Sequence, residues 1–188
     1  MSIIIIRGFS QSGKDYIGNI LCTYFGYTRF AFADSLKKIV AAKYNCHLEL
    51  LHTQEGKLQV CESDDSKRTH RQILLDEGFH LRNQDDNIFA NHCCQEIRKA
   101  GVKKIVITDW RYPNEINQVI DAFPDYKVYP VHILRQGQEV SPVDNPSEYL
   151  LRHRMNDYTI VNEMDVSIYE KVERLISFVK YDLEILKY

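Results

Sequence analysis

Gly8 and Gly13-Lys14 stand five residues apart, with Phe9-Ser10-Gln11-Ser12 between them and Asp15 behind. This G-x-x-x-x-G-K spacing suits the binding of phosphate. Glycines let the backbone curl so that successive N–H groups point inward onto anionic oxygens. A lysine after the second glycine reaches the outer phosphates of a nucleotide, and a helix opening there adds its positive dipole end. The position after the lysine usually carries Ser or Thr, whose hydroxyl touches magnesium. Asp15 offers a carboxylate oxygen instead, also a hard ligand. On chemistry alone, Gly8, Ser10, Gln11, Ser12, Gly13, Lys14 and Asp15 form a candidate ATP-phosphate site, with Asp15 a candidate Mg2+ ligand. Asp15 also reads simply as a first-turn acid favoured by the helix dipole.

Further candidates follow a second apolar stretch, Lys104 to Thr108. Asp109 follows it directly, where a carboxylate can orient a metal or an acceptor, or merely cap the next helix. Arg111 is two residues on and is suited to bidentate phosphate contacts. Phosphoryl transfer gathers negative charge on the moving group, so several cations are expected around it. Arg68, Arg71, Arg82, Arg135, Arg152 and Arg154 are the available arginines, and about half are expected on phosphate. Lys37 and Lys38 could steady an acceptor phosphate or form a solvated face. His132 lies within an apolar run and reads as a core histidine rather than a base.

The elements that must position these residues alternate. Ile3-Ile4-Ile5-Ile6 suits a strand buried on both faces. The pattern then predicts a helix over 15–25 stopped by Gly26, a strand over 27–30, and a helix capped by Asp34 or Ser35. A helical piece near 48–51 precedes a polar loop through Gly56, and 45–66 is expected to be a flexible flap. Helices are expected over 66–81, with Ile73, Leu74 and Leu75 facing inward, and from Asn83 or Asp85 to Ala100, stopped by Gly101. Then come a strand at 104–108, a helix opened by Pro113, a strand at 128–134, a loop or lid within 135–156, a strand at 158–161 and a closing helix over 168–186. Alternating strands and helices predict an α/β fold: a parallel sheet of about five strands with helices on both faces, in three layers. Ligands of such sheets bind at the carboxyl ends of the strands, where Gly8 to Asp15 and Asp109 should meet.

Composition narrows the function classes. The chain has 188 residues and a formal net charge of −2. No basic field argues for nucleic acid. No run approaches transmembrane length, so a membrane partner is not expected. Five cysteines with no C-x-x-C fit a reducing compartment, and the reading is cytoplasmic. His92-Cys93-Cys94 has no second pair at zinc spacing.

Taken together and in order, the motifs resemble the bacteriophage and large-virus deoxynucleoside monophosphate kinases, a branch of the P-loop nucleoside monophosphate kinases. Ser12-Gly13-Lys14-Asp15 resembles that family's phosphate loop, and Ala33-Asp34-Ser35-Leu36-Lys37 its acceptor-side segment. Arg71 to Arg82 is similar to its arginine-bearing helix. Thr108-Asp109-Trp110-Arg111-Tyr112-Pro113-Asn114-Glu115 resembles its Ser-Asp-x-Arg-x-x-x-Glu segment, and Leu134 to Gln138 the start of its lid. Ser147-Glu148 and Asp157 to Asn162 are similar to its final segment.

The resemblance implies a single P-loop NTPase domain over 1–188. It would carry the γ-phosphoryl of ATP to a deoxynucleoside 5′-monophosphate with Mg2+. Gly8 and Ser12 to Lys14 would hold ATP phosphates, with Asp15 and Asp109 at the metal. Asp109, Arg111, Asp34, Lys37, Arg68, Arg71 and Arg82 fall on the acceptor side, and Arg135 closes over ATP. A homodimer and, for a viral chain, the host cytoplasm are further implications. Departures at Leu74-Leu75, Gly78-Phe79 and Ile88-Phe89 fall where the base would bind. Two other readings use the same loop: a phosphomevalonate kinase-type enzyme and a non-catalytic nucleotide-binding protein. A GTP switch lacks its Asn-Lys-x-Asp base reader.

Overall fold

A computed structural model describes residues 1–137, 147, 150, 151, 154, 157–163 and 168–185. Most of the expected lid, with Glu148 and Arg152, lies outside the described residues. The chain divides into two compact units, Met1–Ala31 with Cys94–Tyr188, and Phe32–Cys93.

The first unit holds one parallel five-stranded sheet. Its strands are β1 (Ser2–Arg7), β2 (Thr28–Phe30), β3 (Lys104–Ile107), β4 (Lys127–Arg135) and β5 (Tyr158–Asn162), in the order β2-β3-β1-β4-β5. The isoleucine run becomes β1 because both faces of the central strand are covered: Ile3 to Ile6 are all fully buried. Register places Ile4 beside Val106 on one side and Tyr129 on the other. Ile4, Ile6, Val106, Tyr129 and Val131 form one core with Ile17, Ile20 and Leu21 of α1 (Lys14–Phe25) and Val172, Leu175, Ile176 and Val179 of α7 (Ile168–Ile185). Ile3, Ile5, Ile105 and Ile107 alternate with these and are buried in the opposite layer. Ile116 and Val119 of α6 (Pro113–Ala122) and Ile97 of α5 (Ile88–Ala100) are also buried, outside the first core. Arg98 on α5 donates to the carbonyl of Ala122 on α6 at 3.2 Å. The result is the three-layer arrangement of P-loop NTPases. Gly26 and Gly101 take φ of 71° and 61° directly after their helices, as expected of glycine stops. No helix among the described residues is long and apolar enough to cross a membrane.

The second unit carries α2 (Ala33–Lys43), a 3-10 turn at Leu48–Leu51, α3 (Gln54–Leu58), α4 (His70–Gln84) and the start of α5. Val40, Leu51, Cys61 and Ile73 form its core. Several local expectations change here. Neither Asp34 nor Ser35 caps α2; the helix begins earlier, with Phe32 at the cap position, and Asp34 pairs with Lys37 inside its first turn at 3.3 Å. The polar stretch through Gly56 is not a plain loop. Thr53 caps a short helix there, accepting from the Gly56 N–H at 3.0 Å. Helix α4 starts at His70 rather than Ser66, because Thr69 and Gln72 build a reciprocal capping box. Leu75 points out, 51% exposed, so α4 buries a narrower stripe than its apolar count suggests. Helix α5 begins at Ile88, later than Asn83 or Asp85.

Asp64 and Arg68 hold the turn before α4. Arg68 donates to both carboxylate oxygens of Asp64, at 2.6 and 3.0 Å, and to Asp76 at 2.9 Å. This pairing pulls the Asp64 carboxyl down to about 2. Gly56 is the tightest point of the unit. A Cβ there would lie 2.3 Å from the Leu50 carbonyl oxygen, which is rigid backbone. Gly56→Ala is therefore expected to destabilise the fold by about 1–3 kcal/mol through overpacking. Urea denaturation reads this as a lower midpoint, and an unchanged midpoint would contradict the packing described.

Candidate functional site

The loop between β1 and α1 adopts left-handed backbone at three positions: φ is 149° at Gly8, 62° at Gln11 and 102° at Gly13. Only glycine fits the first. A Cβ on Gly8 would lie 2.5 Å from the Ile133 carbonyl and 2.8 Å from Ser12 Oγ. A Cβ on Gly13 would lie 2.7 Å from Asn162 Nδ2. The chain thus closes on itself between β4 and β5, leaving room for backbone alone. Lys14 Nζ donates to the carbonyls of Gly8 and Phe9 at 2.7 and 2.6 Å, folding its ammonium over the loop.

Two residues from the far strands brace this loop. Arg135 at the end of β4 donates from Nη1 to the Gln11 carbonyl at 3.0 Å. Asn162 at the end of β5 donates to the Ser12 carbonyl at 3.0 Å. Sequence reasoning singled out Arg135 and gave Asn162 no role; its position directly after an apolar strand was the available signal.

Asp109 follows β3 at the same edge. The Trp110 N–H donates to the Ile6 carbonyl at 3.1 Å, laying this turn against the end of β1. The buried Glu115 carboxylate accepts from the N–H groups of Arg111 and Tyr112 at 2.9 and 3.0 Å, fixing how Arg111 leaves the turn. Arg111 itself reaches Ser147 Oγ at 3.4 Å.

Behind the loop lies a buried charge cluster. Arg7 Nε meets Asp157 Oδ2 at 2.5 Å, with both side chains almost fully covered. Arg7 also donates to the Arg154 carbonyl at 3.0 Å. Arg154 pairs with the second oxygen of Asp157 at 2.8 Å and lies 4.8 Å from the Trp110 ring centre. His132 stands beside Arg7 in register. Burial, with the Arg7 charge adding to it against Asp157, pushes its imidazole down to about 4. It is a half-buried neutral residue beside the loop, not an ordinary core histidine.

Two buried hydroxyls, Ser12 Oγ and Thr108 Oγ1, find no hydrogen-bond partner among the described residues. Leaving such a group unsatisfied costs about 1–3 kcal/mol, which favours a ligand that supplies a partner. The glycine cradle and the Ser12 hydroxyl therefore fit a polyphosphate. Among the described residues, no cluster of three or more His, Cys, Asp or Glu could hold an ion by itself. Asp15 is exposed and Asp109 half-buried. That donor set suits magnesium arriving with phosphates and water, which needs only one or two carboxylates.

The remaining sequence candidates lie in the Phe32–Cys93 unit. Lys37 contacts Asp34 and His52 Nδ1, at 3.3 and 3.2 Å. Arg68 is engaged with Asp64, Asp76 and Tyr44. Arg71 is exposed on α4, and Arg82 lies 4.6 Å from the Phe89 ring centre.

No family model matches the sequence, and no curated protein matches it. Solved structures do. TT1252 from Thermus thermophilus superposes with a TM-score of 0.53 over 97% of each chain at 12% identity. A provisionally assigned kinase from Chloroflexus aurantiacus J-10-fl gives 0.52 over 96% of each chain at 11% identity. At such identities the likeness is one of fold.

Two outcomes follow from this geometry. Gly8→Ala is expected to weaken ATP binding by about tenfold or more, since backbone N–H donors at the loop would be displaced. Titration calorimetry checks this, and unchanged affinity in a folded variant would contradict the cradle. His132 is held below its ordinary value near 6.5, so its neutral form stabilises the fold. That contribution is complete above pH 6.5 and is lost as pH falls toward about 4. Replacing His132 with Phe should flatten the fall in urea midpoint across that window; an unaltered pH profile would contradict the assignment.

Proposed function

We propose that the chain transfers the γ-phosphoryl group of ATP to a deoxynucleoside 5′-monophosphate. The observation that carries this reading is the braced glycine cradle with Lys14 folded over it, beside Asp109 and Arg111 at one sheet edge. The fold supports ATP-dependent phosphotransfer to a small molecule, and the ordered motifs support the narrower acceptor class.

Loop N–H groups from Gly8 to Lys14 take the β and γ phosphate oxygens. Lys14 exchanges its bonds to the Gly8 and Phe9 carbonyls for these oxygens. Arg135, already against the loop at Gln11, supplies a second cation from the β4 side. Arg111 meets the transferred group from the β3 side. Asp15 and Asp109 would hold Mg2+, which would supply neutralisation of the phosphate charge. On the acceptor side, Arg71 and Arg82 take the monophosphate, and Asp34 with Lys37 frames it. Arg68, engaged by two carboxylates, shapes the segment that presents them. No covalent intermediate is needed, because positioning and charge neutralisation provide the rate.

The test is ADP release with ATP and magnesium across deoxynucleoside monophosphates, their ribose counterparts and phosphomevalonate. Turnover with a deoxynucleotide is expected. Lys14→Ala should lower kcat by about 100-fold or more, as for loss of a charge-stabilising donor. Turnover on phosphomevalonate alone, or normal kcat in a folded Lys14→Ala protein, would reject the reading.

A further inference from the structure

A cavity of about 240 Å³ opens at the ends of β1 and β4, within the unit that holds the sheet. Arg7, Trp110, Arg111, His132, Leu134 and Leu151 wall it, and it shares Gly8 with the phosphate cradle.

Charge decides what can enter. Arg7 and Arg154 share a single carboxylate: Asp157 Oδ2 takes Arg7 Nε at 2.5 Å, and Oδ1 takes Arg154 Nε at 2.8 Å. Two guanidiniums on one carboxylate leave one positive charge in excess. The excess is buried, since the side chains of Arg7 and Asp157 are 7% and 2% exposed. Arg111 adds a further guanidinium to the wall. Burial, with the Arg7 charge adding to it, holds the His132 imidazole down to about 4. At pH 7 it is therefore neutral and offers one donor and one acceptor nitrogen.

Arg7 also keeps donors in reserve. Nε meets Asp157, and Nη2 donates to the Arg154 carbonyl at 3.0 Å. Nη1 makes no hydrogen bond among the described residues, while the side chain lines the cavity. A guanidinium presents its donors in a planar fork that matches an oxyanion. Buried positive charge with unused donors is costly, and an oxyanion relieves both deficits.

The rest of the wall is apolar. Trp110 is buried, with Arg154 4.8 Å from its ring centre, and Leu134 and Leu151 complete the lining. A bare inorganic ion would leave these faces to water. An acid with a small apolar body covers them and gains from the burial.

We infer that this cavity is an anion site of its own, taking a small organic acid whose carboxylate or phosphate oxygens meet Arg7 and whose apolar body lies against Trp110, Leu134 and Leu151. Its walls include neither Lys14 of the cradle nor Arg71 and Arg82, to which the monophosphate is assigned. The site stands whether or not the kinase reading holds.

Trp110 is the chain's single tryptophan, so its emission reports occupancy. At constant ionic strength, benzoate and phenyl phosphate should change that emission saturably, with and without a non-hydrolysable ATP analogue. The tighter of the two identifies the preferred acidic group. Benzamide, uncharged and nearly the same shape, should bind about tenfold or more weaker than benzoate. Inorganic phosphate should bind more weakly than phenyl phosphate. Arg7→Gln should lower benzoate affinity by about tenfold or more. Arg154→Met, at a side chain 37% exposed, leaves the Arg7–Asp157 pair in place, removes the excess charge and should also weaken benzoate. Equal binding of benzamide and benzoate, or unchanged benzoate affinity in a folded Arg154→Met protein, would overturn the site. Inorganic phosphate matching phenyl phosphate would overturn the apolar seat. Benzoate binding seen only without the ATP analogue would place the anion in the cradle and overturn the separate site.

Discussion

The left-handed turn at Gly8 is the constraint on which the rest of the molecule depends. With its backbone against the Ile133 carbonyl, the chain leaves β1 in the only direction that curls it into the cradle and feeds α1. The close approach to Ile133 goes with β4 lying directly beside β1 in the sheet. The turn also requires α1 to pack back over Ile4 and Ile6, which the buried Ile17, Ile20 and Leu21 achieve. The central strand must in turn be apolar on both faces, and the isoleucine run meets that demand.

Charge is organised around the same turn. Arg7, one residue before Gly8, would be costly to bury alone. Asp157 accepts it, and Arg154 takes the carboxylate's other oxygen while covering Trp110. The network joins the end of β1 to the segment before β5 and to the turn after β3. Removing Asp157 would leave Arg7 buried without its partner, so the cluster is a position where one change unsettles three strand ends at once.

Strands and glycine stops were legible in the sequence because their signals are local. Four consecutive isoleucines, Gly26, Gly101 and Pro113 each act on their own few residues. The cradle was legible for the same reason: its glycines and lysine lie within one short segment. Of the bracing residues Arg135 was legible, but Asn162 was not, nor was Asp157 as the partner of Arg7, because each meets its partner across 150 positions of chain. His132 was hidden by its apolar neighbours; only the register with Arg7 shows that its ring stands beside a buried cation. In the Phe32–Cys93 unit, polar residues that read as loop turned out to be caps and ion pairs. Thr53 caps a short helix and Asp64 holds the turn before α4, while Thr69 caps α4 inside a stretch expected to be helical already; periodicity reveals none of these side-chain bonds.

The measurement that bears most directly on the central claim follows the phosphoryl group itself. ATP labelled on its γ-phosphate, incubated with the protein, magnesium and a deoxynucleoside monophosphate, should give label in the deoxynucleoside diphosphate in step with ADP formation. Label appearing only as inorganic phosphate, or remaining on ATP despite saturating binding, would contradict transfer to that acceptor.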